Sequence, residues 1–289
     1  MRVAVTGTTG RVGAALARHL SDNDEVITLP RRDFNLADPS ALAGALELLE
    51  CDVLINPAGI TGLEACEDDP DLAMRVNADA PAEIAEWAAR RGIRIYHFST
   101  DYVFGGETPG LRREEEIAVP LSVYGCSKLA GEQAILAHPG NGVIRVSWVF
   151  GPEKPSFIDR IFEMALVGAP LEAVADKFSL PVLTTDLAAW MRLILETETH
   201  GILHACHSGE ATSWHGMATA VVEEMAARGV IRTTPEITPL KLDEVEAFRA
   251  TRPKSTAMDN GRLAKLMGAP PRPWREAVAD YVRDRCALL

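Results

Sequence analysis

Short apolar, β-branched runs alternate with longer stretches of helical period through the first 151 positions. RVAVTG (2–7), EVITLP (25–30), DVLINPAG (52–59), RIYHFST (94–100) and GVIRVSWVFG (142–151) predict strands. Between them, residues 11–22, 39–49, 70–92 and 121–137 predict helices. The strands are apolar along their length rather than alternating, which predicts a parallel sheet covered on both faces. Beyond residue 151 the pattern loosens. Helices are expected at 156–168, 185–197, 213–228, 261–267 and 274–286, with one more sheet strand at GILHACHSG (201–209). Prolines punctuate the rest, so the expectation is a doubly wound α/β sheet followed by a smaller, mixed C-terminal lobe.

Composition narrows the function classes. The 289 residues are 47% hydrophobic and 24% charged, an ordinary globular balance. The net charge is −12, and no Lys/Arg cluster is interleaved with aromatics. A broad surface for nucleic acid or an anionic membrane is excluded, although a local basic pocket for a phosphate is not. No stretch approaches the roughly 18 apolar residues of a membrane span, and MRVAVTG carries no apolar signal core. The expected location is cytoplasmic. Five scattered cysteines without a C-x-x-C pair suggest neither a disulfide framework nor a zinc site.

The first chemistry lies in TGTTGRVG, which places Gly7, Gly10 and Gly13 between the first strand and helix. Glycine there permits a tight turn, close approach to a pyrophosphate and close helix–sheet packing, and the helix N-terminus offers free N–H groups. The spacing is G-x-x-G-x-x-G rather than G-x-G-x-x-G, and its position after strand one makes it a dinucleotide site. The fold class is therefore Rossmann-like. Residues 1–151 form the nucleotide-binding domain, with return segments near 183–209. Residues 152–182 and 210–289 form the substrate lobe. At the end of the second strand, where an acid would hold the ribose of NAD, stand Arg31 and Arg32, and Arg11 sits in the glycine turn. NADP(H) is the preferred cofactor, with NAD(H) as the alternative. The competing reading is two solvated loop arginines.

The second chemistry is STDYVFGG (99–106) followed by YGCSK (124–128). Tyr124 and Lys128 share a helix face one turn apart. A phenol beside an ammonium is a proton donor with a depressed pKa, suited to a carbonyl receiving hydride. Ser99 and Thr100 end the predicted fourth strand, at the sheet edge where ligands of such folds bind.

Taken with DVLINPAG, RVNADAP, HFSTDYVFGG, VPLSVYGCSK and VSWVFG, these motifs resemble the extended short-chain dehydrogenase/reductases, and among them the dTDP-4-dehydrorhamnose reductases. The resemblance runs nearly end to end. It implies that Tyr124 protonates the C4 oxygen of a nucleotide-linked 4-keto-6-deoxysugar. Thr100 would hold the same oxygen, and Lys128 would lower the Tyr124 pKa and bond the nicotinamide ribose. It implies cofactor contacts from Thr9 and Val12 in the glycine turn, from Asn35 and Leu36 beside the adenine, and from Asn56, Ala58, Gly59, Asn77 and Ser99. Asp101, Val103, Trp148, Phe178 and Arg252 would approach the sugar. Trp148 can equally be core, and Asn77 can simply hold backbone. Thr100-Asp101-Tyr102 lacks the glutamate that sugar-nucleotide dehydratases carry there, which favours simple reduction.

Three positions depart from the family pattern. Phe178-Ser179-Leu180-Pro181-Val182 stands for Phe-Gly-x-Pro-Thr, and Arg252-Pro253-Lys254-Ser255-Thr256 stands for Arg-Pro-x-Asn-Ser. Segments 176–182 and 252–256 are expected to form one wall of the substrate cleft. Ala15 replaces a glutamate through which some relatives bridge a dimer by magnesium, so no metal is expected, while a homodimer is admitted. His204 and His207, three apart on a strand, face opposite sides and do not chelate one ion. RREEE (112–116) is expected as a solvated lid loop, with Glu114 where the family places an acid. Two alternatives stay open: the same fold reducing another sugar or carbonyl, and a non-catalytic partner resembling the regulatory β subunit of methionine adenosyltransferase.

Overall fold

A computed structural model describes residues 1–289. In chain order the first half runs β1 (Arg2–Thr6), α1 (Arg11–Leu20), β2 (Glu25–Leu29), α2 (Pro39–Leu48), β3 (Val53–Asn56), α3 (Leu63–Asp68), α4 (Pro70–Met74), a π-helical turn (Arg75–Asp79), α5 (Ala80–Arg91), β4 (Arg94–Thr100), α6 (Val123–Leu136) and β5 (Gly142–Val146). There follow β6 (Val149–Phe150), α7 (Phe157–Leu166), β7 (Leu171–Val174), β8 (Phe178–Ser179), β9 (Val182–Leu183), α8 (Thr184–Glu196), β10 (Gly201–His204), β11 (Thr212–Ser213), α9 (Trp214–Ala227), β12 (Ile237–Leu240), α10 (Gly261–Met267) and α11 (Trp274–Cys286).

Six parallel strands form the main sheet in the order β10-β5-β4-β3-β1-β2. The chain leaves β1 for β2 on one side and returns to β3 on the other. The carboxyl ends of β1 and β3 therefore flank the crevice where this topology binds ligands. Alternate strand residues feed opposite layers. Val3, Val5 and Ile55 pack with Leu16 and Leu20 of α1 and Leu187 and Met191 of α8. Ala4 and Leu54 pack with Leu42 and Leu46 of α2 and Ile84 and Trp87 of α5. Burying each such Leu or Ile side chain contributes about 1.5–3 kcal/mol. A separate core, including Phe162, Met217, Val221 and Tyr281, joins α7, α9 and α11.

Two elements beside the crevice differ from expectation. The helix expected over 70–92 is interrupted by the π-helical turn at Arg75–Asp79. Such inserted turns collect at functional sites. The cause here is tertiary, because α6 packs so closely that a Cβ on Gly131 would sit 2.1 Å from the Asn77 carbonyl oxygen. The strand expected over 142–151 breaks after Val146. Trp148 adopts φ +42°, a costly conformation for a bulky residue. Val149 and Phe150 then pair with Val182 and Leu183 instead of continuing the sheet. The kink turns Trp148 towards the crevice. No helix is long and apolar enough to cross a membrane.

Candidate active site

The glycine turn is built by close approach. Gly7 has φ +57° and faces Ala58, and a Cβ on Gly13 would lie 2.4 Å from the Gly7 carbonyl oxygen. No side chain caps α1, so its first N–H groups are free. They open on a cavity of about 620 Å³ lined by Gly7, Thr9, Gly10, Arg11, Val12 and Gly13. The same cavity continues past Arg31, Asn35, Leu36, Ala58 and Gly59 to Ser99, Thr100, Asp101, Tyr124, Lys128 and Trp148. Two buried polar atoms on its wall, Ser99 Oγ and Trp148 Nε1, have no protein partner. A buried polar group without a partner is costly, so these atoms suit a ligand that supplies one. Free helix N–H groups for phosphates, a basic side chain at the β2 end and a long crevice fit a dinucleotide.

Several residues expected at the cofactor do other work. The Arg32 guanidinium is exposed and turned to Asp33 (3.2 Å), away from the cavity that Arg31 lines. Arg11 reaches the cavity, but its guanidinium donates to the carbonyls of Val149, Lys154 and Pro155, which ties the loop after β6 to α1. Asn56 is fully buried between the Thr6 hydroxyl and His97, a support beneath the crevice rather than its lining. Asn77 bonds Ile60 through both N–H and C=O at 2.9 Å and Ser127 Oγ at 3.1 Å, clamping the loop after β3 onto α6. It holds backbone.

The reactive end is set by α6. Ser122 caps the helix by accepting from the Gly125 N–H at 3.2 Å. A Cβ on Gly125 would meet the Tyr102 carbonyl oxygen at 2.4 Å, so glycine lets α6 press against the turn after β4. Tyr124 then packs edge-on against Tyr102, ring centroids 5.8 Å apart. Burial pushes the Tyr124 phenol above its ordinary value, and the Thr100 hydroxyl is the chief opposing influence. The expected depression by the neighbouring ammonium is not found: burial raises the phenol, and the lowering influence comes from Thr100, not from Lys128. Lys128 is itself driven down to about 8 by burial, and its Nζ lies 3.1 Å from His97 Nε2.

The expected sugar contacts divide. Asp101 lines the cavity, yet its carboxylate is buried and accepts from Ser179 Oγ (3.0 Å), Thr256 Oγ1 (2.5 Å) and Thr100 Oγ1 (3.3 Å). Two of these donors, Ser179 and Thr256, are residues at which the chain departs from the family pattern. Trp148 lines the cavity and packs on Trp214, so it is contact and core at once. Val103 does not face the crevice: it is buried in the lobe core beside Phe104. Phe178 and Arg252 also stand outside the lining, because Phe178 is part of a two-stranded edge and Arg252 pairs with Glu64 at 2.7 Å and stacks on Phe248. Segments 176–182 and 252–256 meet, through Phe178 N to Lys254 O (2.6 Å) and Thr256 N to Phe178 O (3.0 Å), but no residue of either lines the cavity, so the expected cleft wall is absent and they stand behind Asp101 instead. Their inward contact is Asp101.

Two residues escaped the sequence reading. Lys177 is fully buried, donates to the Pro253 carbonyl at 2.7 Å and lies 4.6 Å from the Tyr102 ring centroid. Lysine is ordinarily exposed, so nothing local marks it. His97 reads as an apolar-strand histidine until Lys128 is seen beside it. The strand expected over 201–209 ends at His204, so His207 lies beyond it; both histidines are buried and bond backbone separately, at Asp259 and Arg272. Glu114 is not solvated: it is buried and accepts from the His204 N–H at 3.2 Å.

A nucleotide crevice ending at Thr100, Tyr124 and Lys128 on a doubly wound parallel sheet defines an extended short-chain dehydrogenase/reductase. The family model described as the RmlD substrate binding domain matches residues 1–286, and the chain belongs to the dTDP-4-dehydrorhamnose reductase family. It is 32% identical to a dTDP-4-dehydrorhamnose reductase of Burkholderia thailandensis, covering 98% of this chain and 99% of that one. It is 34% identical to a probable dTDP-4,6-dihydroxy-2-methyloxan-3-one 4-ketoreductase of Streptomyces antibioticus, over 98% and 95% of the two chains. Among solved structures, dTDP-4-dehydrorhamnose reductase of Bacillus anthracis in complex with NADP superposes with a TM-score of 0.88 at 24% identity, over 98% and 99%.

Proposed function

We propose that the protein is an NADPH-dependent reductase of the 4-keto group of a nucleotide-activated 6-deoxysugar. One observation carries this reading: Thr100, Tyr124 and Lys128 line the same continuous cavity as Gly7, Gly10, Gly13 and Arg31. The relatives of the chain named above support the substrate class. A bound nicotinamide cofactor supplies the hydride. The residues of the chain do the rest. Free N–H groups at the start of α1 hold the pyrophosphate, and Arg31 offers a charge-assisted bond to a 2′-phosphate. Tyr124 delivers its proton to the carbonyl oxygen as negative charge develops there, and Thr100, whose hydroxyl donates to Asp101 in the free protein, would turn its O–H to the same oxygen. Lys128, one turn away, steadies the phenolate left behind.

A second reading keeps this chemistry and changes the sugar. It is favoured by Ser179 and Thr256, which replace family residues and engage Asp101 on the cavity wall. NADPH oxidation across nucleotide-linked 4-keto sugars that differ in base and ring configuration separates the two. Turnover confined to the dTDP-linked 4-keto-6-deoxyhexose supports the first reading, and turnover confined to another sugar the second. Cofactor binding without oxidation by any of them contradicts both.

A further inference from the structure

The polarity of the bond between Lys128 and His97 is decided four residues away. The backbone N–H of Ala58 donates to Thr6 Oγ1 at 3.3 Å. Thr6 is buried, and the one other partner of its hydroxyl is the Asn56 amide, 2.6 Å away. The hydroxyl proton therefore goes to Asn56, which must present its oxygen to Thr6. That leaves the Asn56 Nδ2 to donate to His97 Nδ1 at 3.1 Å. A neutral imidazole that accepts at Nδ1 carries its proton on Nε2. His97 is fully buried, and burial is the first cause that holds it well below its ordinary value, so neutral is its state. Its Nε2–H then points at Lys128 Nζ, 3.1 Å away.

An N–H facing an ammonium is a donor facing a donor; facing a free amine, it meets a lone pair. All four side chains are satisfied together only when Lys128 is the amine. The charged form requires Asn56 to turn over and the His97 proton to move to Nδ1. Thr6 Oγ1 would then accept from both Ala58 and Asn56, and its own proton would be stranded in the interior. We infer that Thr6, Asn56 and His97 form a directional hydrogen-bond chain that poises Lys128 between amine and ammonium, making His97 a positioning residue that sets the alkaline limit of reduction. This rests on the reductase reading only for its kinetic consequence.

The other groups around Lys128 act in parallel. Cys66 of α3, a thiol raised by burial to about 11, is neutral near pH 7. Glu132, one turn on along α6, favours the ammonium but is held bidentately by Arg145 at 2.6 and 2.9 Å. Tyr124, one turn back, is protonated below its raised pKa.

The first test needs no turnover. In the protein labelled with 15N-histidine and free of cofactor, His97 is assigned by the resonances lost in His97→Gln. Its proton should sit on Nε2 at alkaline pH and pass to Nδ1 as pH falls and Lys128 charges, the ring staying neutral. A proton fixed on Nδ1 throughout, or a doubly protonated ring, overturns the chain. The second test is kinetic. Thr6→Val removes the hydroxyl that blocks the turned-over amide, and Asn56→Asp accepts on both sides. Each should raise the alkaline midpoint of kcat/KM by about one to two pH units, while Thr6→Ser keeps the parent profile. An unmoved midpoint in both overturns the inference. Absence of turnover on every sugar, with the histidine proton shift present, contradicts the reductase reading and leaves the chain standing.

Discussion

Ser179 Oγ donates to Asp101 Oδ2 at 3.0 Å, joining β8 to the turn after β4 across 78 positions of sequence. The carboxylate is buried, and burial raises its pKa against the lowering influence of Lys177, Thr256, Ser179 and Thr100. A hydrogen bond to a buried charged group is worth about 1.5–3 kcal/mol. Ser179→Gly, which restores the family residue, should lower unfolding stability by about that amount in urea titrations. Unchanged stability would show that Ser179 does not hold Asp101.

Arg31 and Arg32 should separate under mutation. Arg31 lines the cavity, whereas Arg32 faces Asp33 in solvent. Arg31→Ala should weaken NADPH by about 1.5–3 kcal/mol and NADH hardly at all, and Arg32→Ala should change neither. Titration of cofactor fluorescence measures both. Equal losses for the two cofactors would remove Arg31 from phosphate recognition.

Acid should destabilise the fold early. Burial is the first cause that lowers three histidines: His97 well below its ordinary value, His204 to about 3 and His207 to about 4. Between those values and an unfolded pKa of about 6.5, the unfolded chain binds more protons, so stability falls as pH drops through that window. Each histidine contributes up to about 1.4 kcal/mol per pH unit. Asp101 and Glu114, whose pKa values are raised, oppose this as they protonate in the folded state. Urea unfolding at about pH 7 and about pH 5 should show the more acidic sample less stable by several kcal/mol. Equal stability would mean that at least two of these rings charge without penalty.

Periodic elements were legible in the sequence. The expected ranges for β4, α10 and α11 coincide with the observed ones, because α10 and α11 carry a helical period, β4 is a continuous apolar run, and each has turn or proline signals nearby. What failed was decided by contacts far away in sequence. The π-helical turn at Asn77 answers to α6, and the break at Trp148 answers to β9. β7, β8 and β12 have four residues or fewer, too short for a period to declare itself. In the site, glycines and the Tyr124/Lys128 pair were visible because spacing encodes them. The burial of Lys177 depends on the Pro253 carbonyl and the Tyr102 ring, and the importance of His97 depends on a hydrogen-bond chain across three strands. Neither leaves a local mark.

The most direct measurement compares Tyr124→Phe with the parent protein on a 4-keto nucleotide sugar that the parent reduces. The substitution keeps the ring packed on Tyr102 and removes only the acid. Turnover should fall by about two to four orders of magnitude, while NADPH affinity stays within about twofold. Near-parental turnover with normal cofactor binding would contradict Tyr124 as the proton donor, and with it the assignment of this crevice as a ketoreductase site.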